Sequence, residues 1–106
     1  MSEELLVEEA RRRAEIFKEL ERHLTLIAKV VKELDEDAEV YLFGSVAEGK
    51  HLLSSDIDIL VVTGLNPGRV LATLWERGVG DPFEIHVVKR DMLEVYKARS
   101  TLVKVA

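Results

Sequence analysis

The sequence predicts an α/β domain in which helices cover a small sheet. A long amphipathic pattern opens the chain, and three short apolar segments follow it, separated by turn residues and further helical patterns. The predicted order is helix, strand, turn and helix, strand, helix, strand, helix. Strand order and direction do not follow from these patterns.

Length and composition predict one domain over residues 1–106. Hydrophobic residues make up 47% of the chain, enough to form a core, but the length leaves no room for a separate substrate-binding domain. A substrate must therefore come to this domain, or a partner must supply part of the site.

The charge and the residue types that are missing exclude several classes of function. A net charge of −5 argues against general nucleic-acid binding, although a nucleotide could still bind where a metal ion supplies positive charge. The absence of cysteine excludes disulfides and thiolate metal sites. No apolar stretch approaches the ~20 residues of a membrane span, and the charged residues 1–22 do not form a signal peptide, so we expect a cytoplasmic protein.

The opening pattern predicts a single helix over residues 3–34, with Ser2 as its N-cap. Apolar residues at steps of three and four form one stripe: Phe17, Leu20, Leu24, Ile27, Val31 and Leu34. This stripe could serve the core or a homodimer. At about 1.5 Å per residue the helix would span ~48 Å, which is long for a small domain. Its charged first half favours a solvated face with ion pairs four residues apart, and the alternative is a docking surface for another chain.

Three apolar segments predict strands at residues 39–43, 57–62 and 83–88. The second is apolar throughout except for Asp58, so we expect it to be central.

Two further helices are predicted between and after these strands. A turn over residues 64–68 leads into a helix over 69–77, which Gly78 ends. Four apolar side chains are expected to face inward from it: Val70, Leu71, Leu74 and Trp75. Asp91 is expected to cap a last helix over 92–99, and the pattern of residues 100–106 gives no assignment.

Two carboxylates open the second strand. Asp56 and Asp58 are two residues apart and therefore point to the same face, whereas Ile57 and Ile59 face the core. Carboxylates in so apolar a segment are costly unless a cation compensates them, and Mg²⁺ or Mn²⁺ prefers such oxygen ligands. Taken alone, the pair would be better explained by an Asp56 at the exposed edge of the strand and an Asp58 that caps a nearby group.

A Gly44-Ser45 turn follows the first strand, eleven residues before Asp56. Glycine allows a close backbone approach to a ligand, and Ser45 could cap a short helix whose amides face phosphate. Gly49 is expected to close that helix, and Lys50 and His51 could reach a phosphate tail. Alone, this segment would be interpreted as a simple strand-to-helix turn with a solvated loop.

Glu84 is a third candidate acid. If the strand at 83–88 lies beside the strand at 57–62, Glu84 joins Asp56 and Asp58, and three carboxylates can hold two magnesium ions. His86 shares the face of Glu84. We interpret it as an ordinary half-exposed residue, because the sequence shows no ligand set around it.

Together these motifs resemble the signature of the DNA polymerase β-like nucleotidyltransferases, and most closely that of their smallest members, the minimal nucleotidyltransferases. The resemblance covers residues 39–88. The matching positions are Leu42-Phe43-Gly44-Ser45, Gly49, Ser55-Asp56-Ile57-Asp58 and Glu84. It implies a small mixed β-sheet flanked by helices, the palm-like nucleotidyltransferase fold.

The resemblance also implies an activity: Mg²⁺-dependent transfer of a nucleotidyl group, AMP from ATP or another nucleoside triphosphate, to a hydroxyl. Gly44 and Ser45, with Lys50, would bind the triphosphate, and Asp56, Asp58 and Glu84 would be the metal-binding catalytic acids. Minimal nucleotidyltransferases often pair with a small helical HEPN protein as a toxin–antitoxin system, and some transfer AMP to a tyrosine of that toxin.

One departure from the family leaves alternatives open. Many relatives carry basic residues directly after Gly-Ser and two positions later, where this chain has Val46 and Glu48. The chain could therefore be a binding module that masks a helical partner with weak catalysis or none. A glycosyltransferase that uses Asp-x-Asp ranks far lower, since the chain is too short for the usual nucleotide-sugar fold.

Overall fold

The computed structural model describes residues 2–50 and 55–106. The elements, in chain order, are α1 Glu3–Lys18, α2 Leu20–Leu34, β1 Glu39–Phe43, α3 Gly44–Ala47, β2 Ile57–Val62, α4 Pro67–Glu76, β3 Phe83–Val88, a 3-10 turn Arg90–Met92, α5 Leu93–Arg99 and β4 Leu102–Lys104. Within the described ranges, no helix is both long enough and apolar enough to cross a membrane.

The four strands within the described residues form one mixed sheet in the order β3-β2-β1-β4. Strands β2 and β3 are parallel, and β1 is antiparallel to both β2 and β4. The three strands predicted from the sequence are confirmed, and so is the mixed sheet that the resemblance implied. The fourth strand comes from the tail that the sequence left without an assignment.

The two faces of the sheet pack against different helices. Helices α2 and α4 cover one face, where alternate residues of β1 and β2 such as Val40 and Ile59 are fully buried. Helix α5 covers the other face through Leu93, which packs with Tyr41 and Leu60. Asp58 belongs to this second face, because it alternates with the buried Ile57 and Ile59.

The prediction of one helix over residues 3–34 is wrong in one respect, because the segment is interrupted at Glu19 (φ −109°, ψ 31°). The two parts have different surroundings. None of the residues of α1 is fully buried, whereas α2 buries Ile27, Ala28, Val30 and Val31. The interruption separates α2, which packs against the sheet, from α1, which stays at the surface. Ser2 caps α1 as predicted, by accepting a hydrogen bond from the N–H of Leu5.

Helix α4 starts earlier than predicted and buries a narrower stripe. It begins at Pro67 because the Asn66 side chain caps it, accepting from the N–H of Gly68 at 2.8 Å. Val70 and Leu74 are buried, but Leu71 is 42% exposed and Trp75 is 75% exposed. The inward orientation predicted for Leu71 and Trp75 is therefore wrong, because the sheet covers only one edge of the apolar stripe.

Helix α5 starts one residue later than predicted and is not capped by Asp91. A 3-10 turn over Arg90–Met92 precedes it, and its N-cap residue, Met92, makes no side-chain capping bond. The predicted cap at Asp91 is thus wrong, because Asp91 lies within the 3-10 turn and not at the position before α5.

The Glu39 carboxylate joins three segments on the α5 face. It accepts a hydrogen bond from the Tyr41 hydroxyl at 2.6 Å and lies 2.5 Å from Arg90 and 3.5 Å from Lys104. Its side chain is only 17% exposed. The Tyr41 hydrogen bond and then Arg90 lower the pKa of Glu39 to about 2, against the opposing effect of burial.

In Glu39→Gln, the free energy of unfolding is expected to fall less steeply than in wild type as the pH is lowered from about 4.5 to 2. Because the folded pKa of about 2 lies below the ordinary value of 4.5, the ionised Glu39 stabilises the fold fully above about pH 4.5. This contribution is lost as the pH falls toward 2. At pH 7 the variant should lose about 1 kcal/mol in free energy of unfolding.

Urea unfolding at several pH values would measure this effect. Glu36→Gln is the matched control, because Glu36 is exposed and its carboxylate makes no ion pair within the described ranges. Equal acid dependence in wild type and Glu39→Gln would contradict the role given to Glu39.

Candidate active site

The register of three strands brings the sequence-predicted acids together. Phe43 of β1 pairs with Asp58 of β2, and Asp58 pairs with Glu84 of β3. Residues paired in register project to the same face of a sheet. Phe43, Asp58 and Glu84 therefore lie side by side on the α5 face, at the end of the sheet where β2 and β3 begin.

His86 joins these carboxylates. The His86 Nε2 atom lies 3.7 Å from Asp58 Oδ1 and 3.5 Å from Glu84 Oε1. One ligand atom from each of Asp58, Glu84 and His86 lies within 4.8 Å of the others, and we call this group the acid cluster. His86 is half-exposed as expected, but the expectation that nothing around it forms a ligand set is wrong, because Asp58 of β2 and Glu84 of β3 lie beside its ring.

The Nε2 atom of His86 is buried and has no hydrogen-bond partner among the residues that the structure describes. The imidazole ring packs edge-on against Phe43, with the ring centroids 5.0 Å apart. A buried nitrogen without a partner is costly, and a metal ion would satisfy it. The acid cluster thus has the donor atoms of a cation site.

The electrostatics of Asp58 favour a cation as well. Burial raises the pKa of Asp58, the charge of Glu84 raises it further, and Asp56 adds to the effect, while His86 lowers it. Like charges held together in a half-buried place destabilise the ionised state. A bound divalent cation would reverse this balance by attracting both carboxylates.

Asp56 is near the acid cluster but is not part of it. It lies just before β2, its side chain is exposed, and among the described residues it is not grouped with the three ligand atoms. Its charge still acts on Asp58. Residues 51–54 precede this loop, so the prediction that His51 reaches a phosphate lies outside the described residues.

Gly44 brings the Gly-Ser turn into contact with the acid cluster. Its φ of +74° is in the left-handed region that favours glycine, and a Cβ atom at this position would overlap Asp58 Oδ2. Only glycine allows the turn to approach the carboxylate this closely. The Gly-Ser turn and the carboxylates are separate features in the sequence, but in the structure they form one contiguous surface.

The short helix after Gly44 differs in detail from its prediction. Helix α3 begins at Gly44 itself and has no side-chain cap, so the predicted capping role of Ser45 is wrong: Ser45 lies inside the first turn. Gly49 ends the helix at φ +71°. The N–H of Lys50 donates to the carbonyl of Ser45 at 2.9 Å, and the Lys50 side chain is exposed.

The two departures from the family's basic positions have different surroundings. Val46 is 8% exposed and packs in the main core, whereas Glu48 is exposed. Val46 therefore contributes to the packing of α3, and neither residue supplies positive charge beside the turn.

Comparison with known proteins identifies the family. The model of the family described as "Nucleotidyltransferase domain" matches residues 24–105, which is more than half of the chain. The chain belongs to this nucleotidyltransferase family. The family places it among the transferases of nucleotidyl groups, whose members generally use a divalent metal and a nucleoside triphosphate.

Two solved structures of nucleotidyltransferase domains support the assignment. One, described as a "putative nucleotidyltransferase", is 27% identical with a TM-score of 0.63, and the match covers 77% of this chain and 96% of that one. A second with the same description, from Sulfolobus solfataricus, is 27% identical with a TM-score of 0.54, and the match covers 91% of this chain and 83% of that one. The chain has no significant match among proteins of curated function.

Arg13 is a residue of this nucleotidyltransferase that the sequence analysis did not single out. Its guanidinium donates to the carbonyl of Ser55 at 3.3 Å and lies 3.3 Å from Asp81 Oδ2. It thereby connects α1 to the two loops that lead into β2 and β3. The expected four-residue ion pair with Glu9 is present at 3.4 Å, but the side chain is only 17% exposed. In the sequence, Arg13 is one of several arginines in a charged segment, and nothing there indicates its contacts with Ser55 and Asp81.

Gly44→Ala is expected to disrupt the acid cluster, and Gly49→Ala provides its matched control. Both glycines have nearly the same positive φ, but no described atom lies within 4 Å of a Cβ at Gly49. Gly49→Ala should cost about 1 kcal/mol in free energy of unfolding from the backbone conformation alone.

Gly44→Ala should cost about 1–3 kcal/mol more, because the new methyl group displaces the Asp58 carboxylate. Urea unfolding measures both variants. Equal destabilisation by the two substitutions would show that Gly44 is not in close contact with Asp58.

Proposed function

We propose that this domain transfers a nucleotidyl group, AMP from ATP, to a hydroxyl group, using Mg²⁺ or Mn²⁺ held by the acid cluster with help from Asp56. The observation that carries the proposal is the grouping of Asp58, Glu84 and His86 directly beside Gly44. A metal site and a phosphate-binding turn in contact are what nucleotidyl transfer requires.

The donor atoms fit a divalent cation. Carboxylate oxygens from Asp58 and Glu84 suit Mg²⁺ and Mn²⁺, and the unpartnered His86 nitrogen suits Mn²⁺ better. When bound, such an ion stabilises charge on the phosphates and on the attacking oxygen.

The chain's own residues divide the remaining tasks. Asp58, whose side chain is 25% exposed, is the inner ligand, and Glu84, 55% exposed, faces the incoming acceptor. The acceptor oxygen forms a bond to the α-phosphorus, the bond from that phosphorus to the bridging oxygen breaks, and pyrophosphate leaves. Glu84 accepts the hydroxyl proton. The first amides of α3, at Gly44 and Ser45, and the Lys50 ammonium bind the leaving phosphates.

The acceptor we propose is a tyrosine of a small helical HEPN-type partner, so that the domain acts as an antitoxin. One feature supports a protein acceptor. Helix α1 exposes an apolar group formed by Leu5, Leu6 and Val7, which are 54–56% exposed.

The second candidate is a binding module that masks the same partner without catalysis. The lack of basic side chains at Val46 and Glu48 favours it, since the triphosphate end then has less positive charge. Asp58→Asn separates the two candidates: a masking module would still neutralise the toxin with this variant, and an enzyme would not.

Asp58→Asn should reduce transfer of labelled AMP from ATP to the partner by at least about 100-fold, because a neutral amide holds the cation poorly. Asp37→Asn is the control, since Asp37 is exposed at the opposite end of the sheet. Thermal unfolding should show both variants folded. Transfer by Asp58→Asn at the wild-type rate would refute the proposed function.

His86→Asn should weaken Mn²⁺ binding by about tenfold or more, because outer-shell partners alone contribute that much to metal affinity and His86 is a direct ligand. Electron paramagnetic resonance of free Mn²⁺ measures the affinity without turnover. His23→Asn is the control, because His23 contacts the Phe83 ring and lies outside the acid cluster. Unchanged Mn²⁺ affinity in His86→Asn would remove His86 from the ligand set.

A further inference from the structure

A cavity of about 250 Å³ lies between β1 and α5. We call it the α5 pocket, and its lining residues are Phe43, Met92, Val95, Tyr96, Arg99 and Ser100. Phe43 belongs to the Leu42-Phe43-Gly44-Ser45 motif, and the other five residues belong to none of the sequence motifs.

The α5 pocket shares a wall with the acid cluster. The Phe43 ring, which lines the pocket, lies 5.0 Å from the His86 ring and 5.5 Å from the Tyr96 ring between centroids. The His86 and Tyr96 rings are 6.3 Å apart. Phe43 also pairs with Asp58 and directly precedes Gly44. A ligand that contacts the acid cluster therefore has the pocket within reach.

The lining is chemically suited to a flat ring with polar edges. Met92 and Val95 are apolar yet 41% and 39% exposed, and Tyr96 adds an aromatic face. Arg99 lies on the rim and makes no ion pair within the described part of the chain, whereas its neighbour Lys97 pairs with Glu94 at 3.6 Å. An arginine without a partner offers planar donors to ring nitrogens and carbonyl oxygens.

We propose that the α5 pocket binds the nucleobase of the nucleoside triphosphate, with the base packed among Phe43, Val95 and Tyr96 and its edge bonded to Arg99. This inference rests on the proposed function. Packing of the base in the α5 pocket also supplies binding free energy, which offsets the lack of positive charge at Val46 and Glu48.

The proposal is tested by filling the pocket with Val95→Trp. Val95 is partly exposed, so a larger side chain can occupy the pocket without entering the core. Ala98→Trp is the matched control, because Ala98 is exposed on the same helix and does not line the pocket. Calorimetry in Mn²⁺ compares ATP with inorganic tripolyphosphate, which has no base.

Wild type should bind ATP at least about tenfold more tightly than tripolyphosphate. Val95→Trp should remove that difference and leave tripolyphosphate binding within twofold, and Ala98→Trp should change neither.

If wild type binds both ligands equally, the pocket assignment is wrong while the proposed function stands. If wild type binds neither, the proposed function fails and the inference fails with it. If Val95→Trp slows transfer but keeps ATP affinity, the pocket holds the acceptor and the nucleobase assignment is overturned.

A second measurement follows the pocket of the wild-type protein by nuclear magnetic resonance, and a substitution is needed only to assign the signal. The chain has two methionines, Met1 and Met92, so methyl-labelled methionine gives two signals, which Met92→Leu assigns. The Met92 methyl signal should shift with ATP, through the ring current of the base, and not with tripolyphosphate. Equal shifts with both ligands would overturn the proposal.

Discussion

The pairing of Asp58 with Phe43 on one side and with Glu84 on the other is the constraint on which the rest of the site depends. A shift of one residue in either pairing would turn the carboxylate into the core. The fully buried Ile57 and Ile59 prevent this shift, because they fix which face of β2 is apolar. The hydrophobic core thus determines the position of the charged groups, and a bound cation would offset the free-energy cost of placing them together.

Much of this arrangement could be predicted because it depends on local patterns. Strand periodicity placed Asp58 and Glu84 each on the face of its strand opposite the apolar residues, and Gly44 indicated a close backbone approach. That the two strands are neighbours was a condition that the sequence left open. His86 shows the limit of such reasoning. Its own face, which it shares with Glu84, was correctly inferred, but Asp58 belongs to β2, and sequence spacing along β3 does not indicate which side chain lies across from His86.

Other features could not be predicted because they depend on contacts distant in sequence. The apolar stripe of α4 was clear, yet the fraction of it that the sheet covers was not, and Trp75 is consequently exposed. The interruption at Glu19 has no proline or glycine to mark it. The strand β4 is only three residues long and exists because β1 offers it an unpaired edge.

Helix α1 lies entirely before residue 24, where the match to the family begins, yet Arg13 ties it to the loops that lead into both acid-bearing strands. These loops are also held to each other, since the N–H of Ile57 donates to the carbonyl of Pro82 at 2.9 Å. A protein that displaced α1 would remove the Arg13 contacts from both loops at once, while the pairing of β2 with β3 would still hold Asp58 beside Glu84. Binding at α1 would therefore act on the loops and not on the two paired carboxylates.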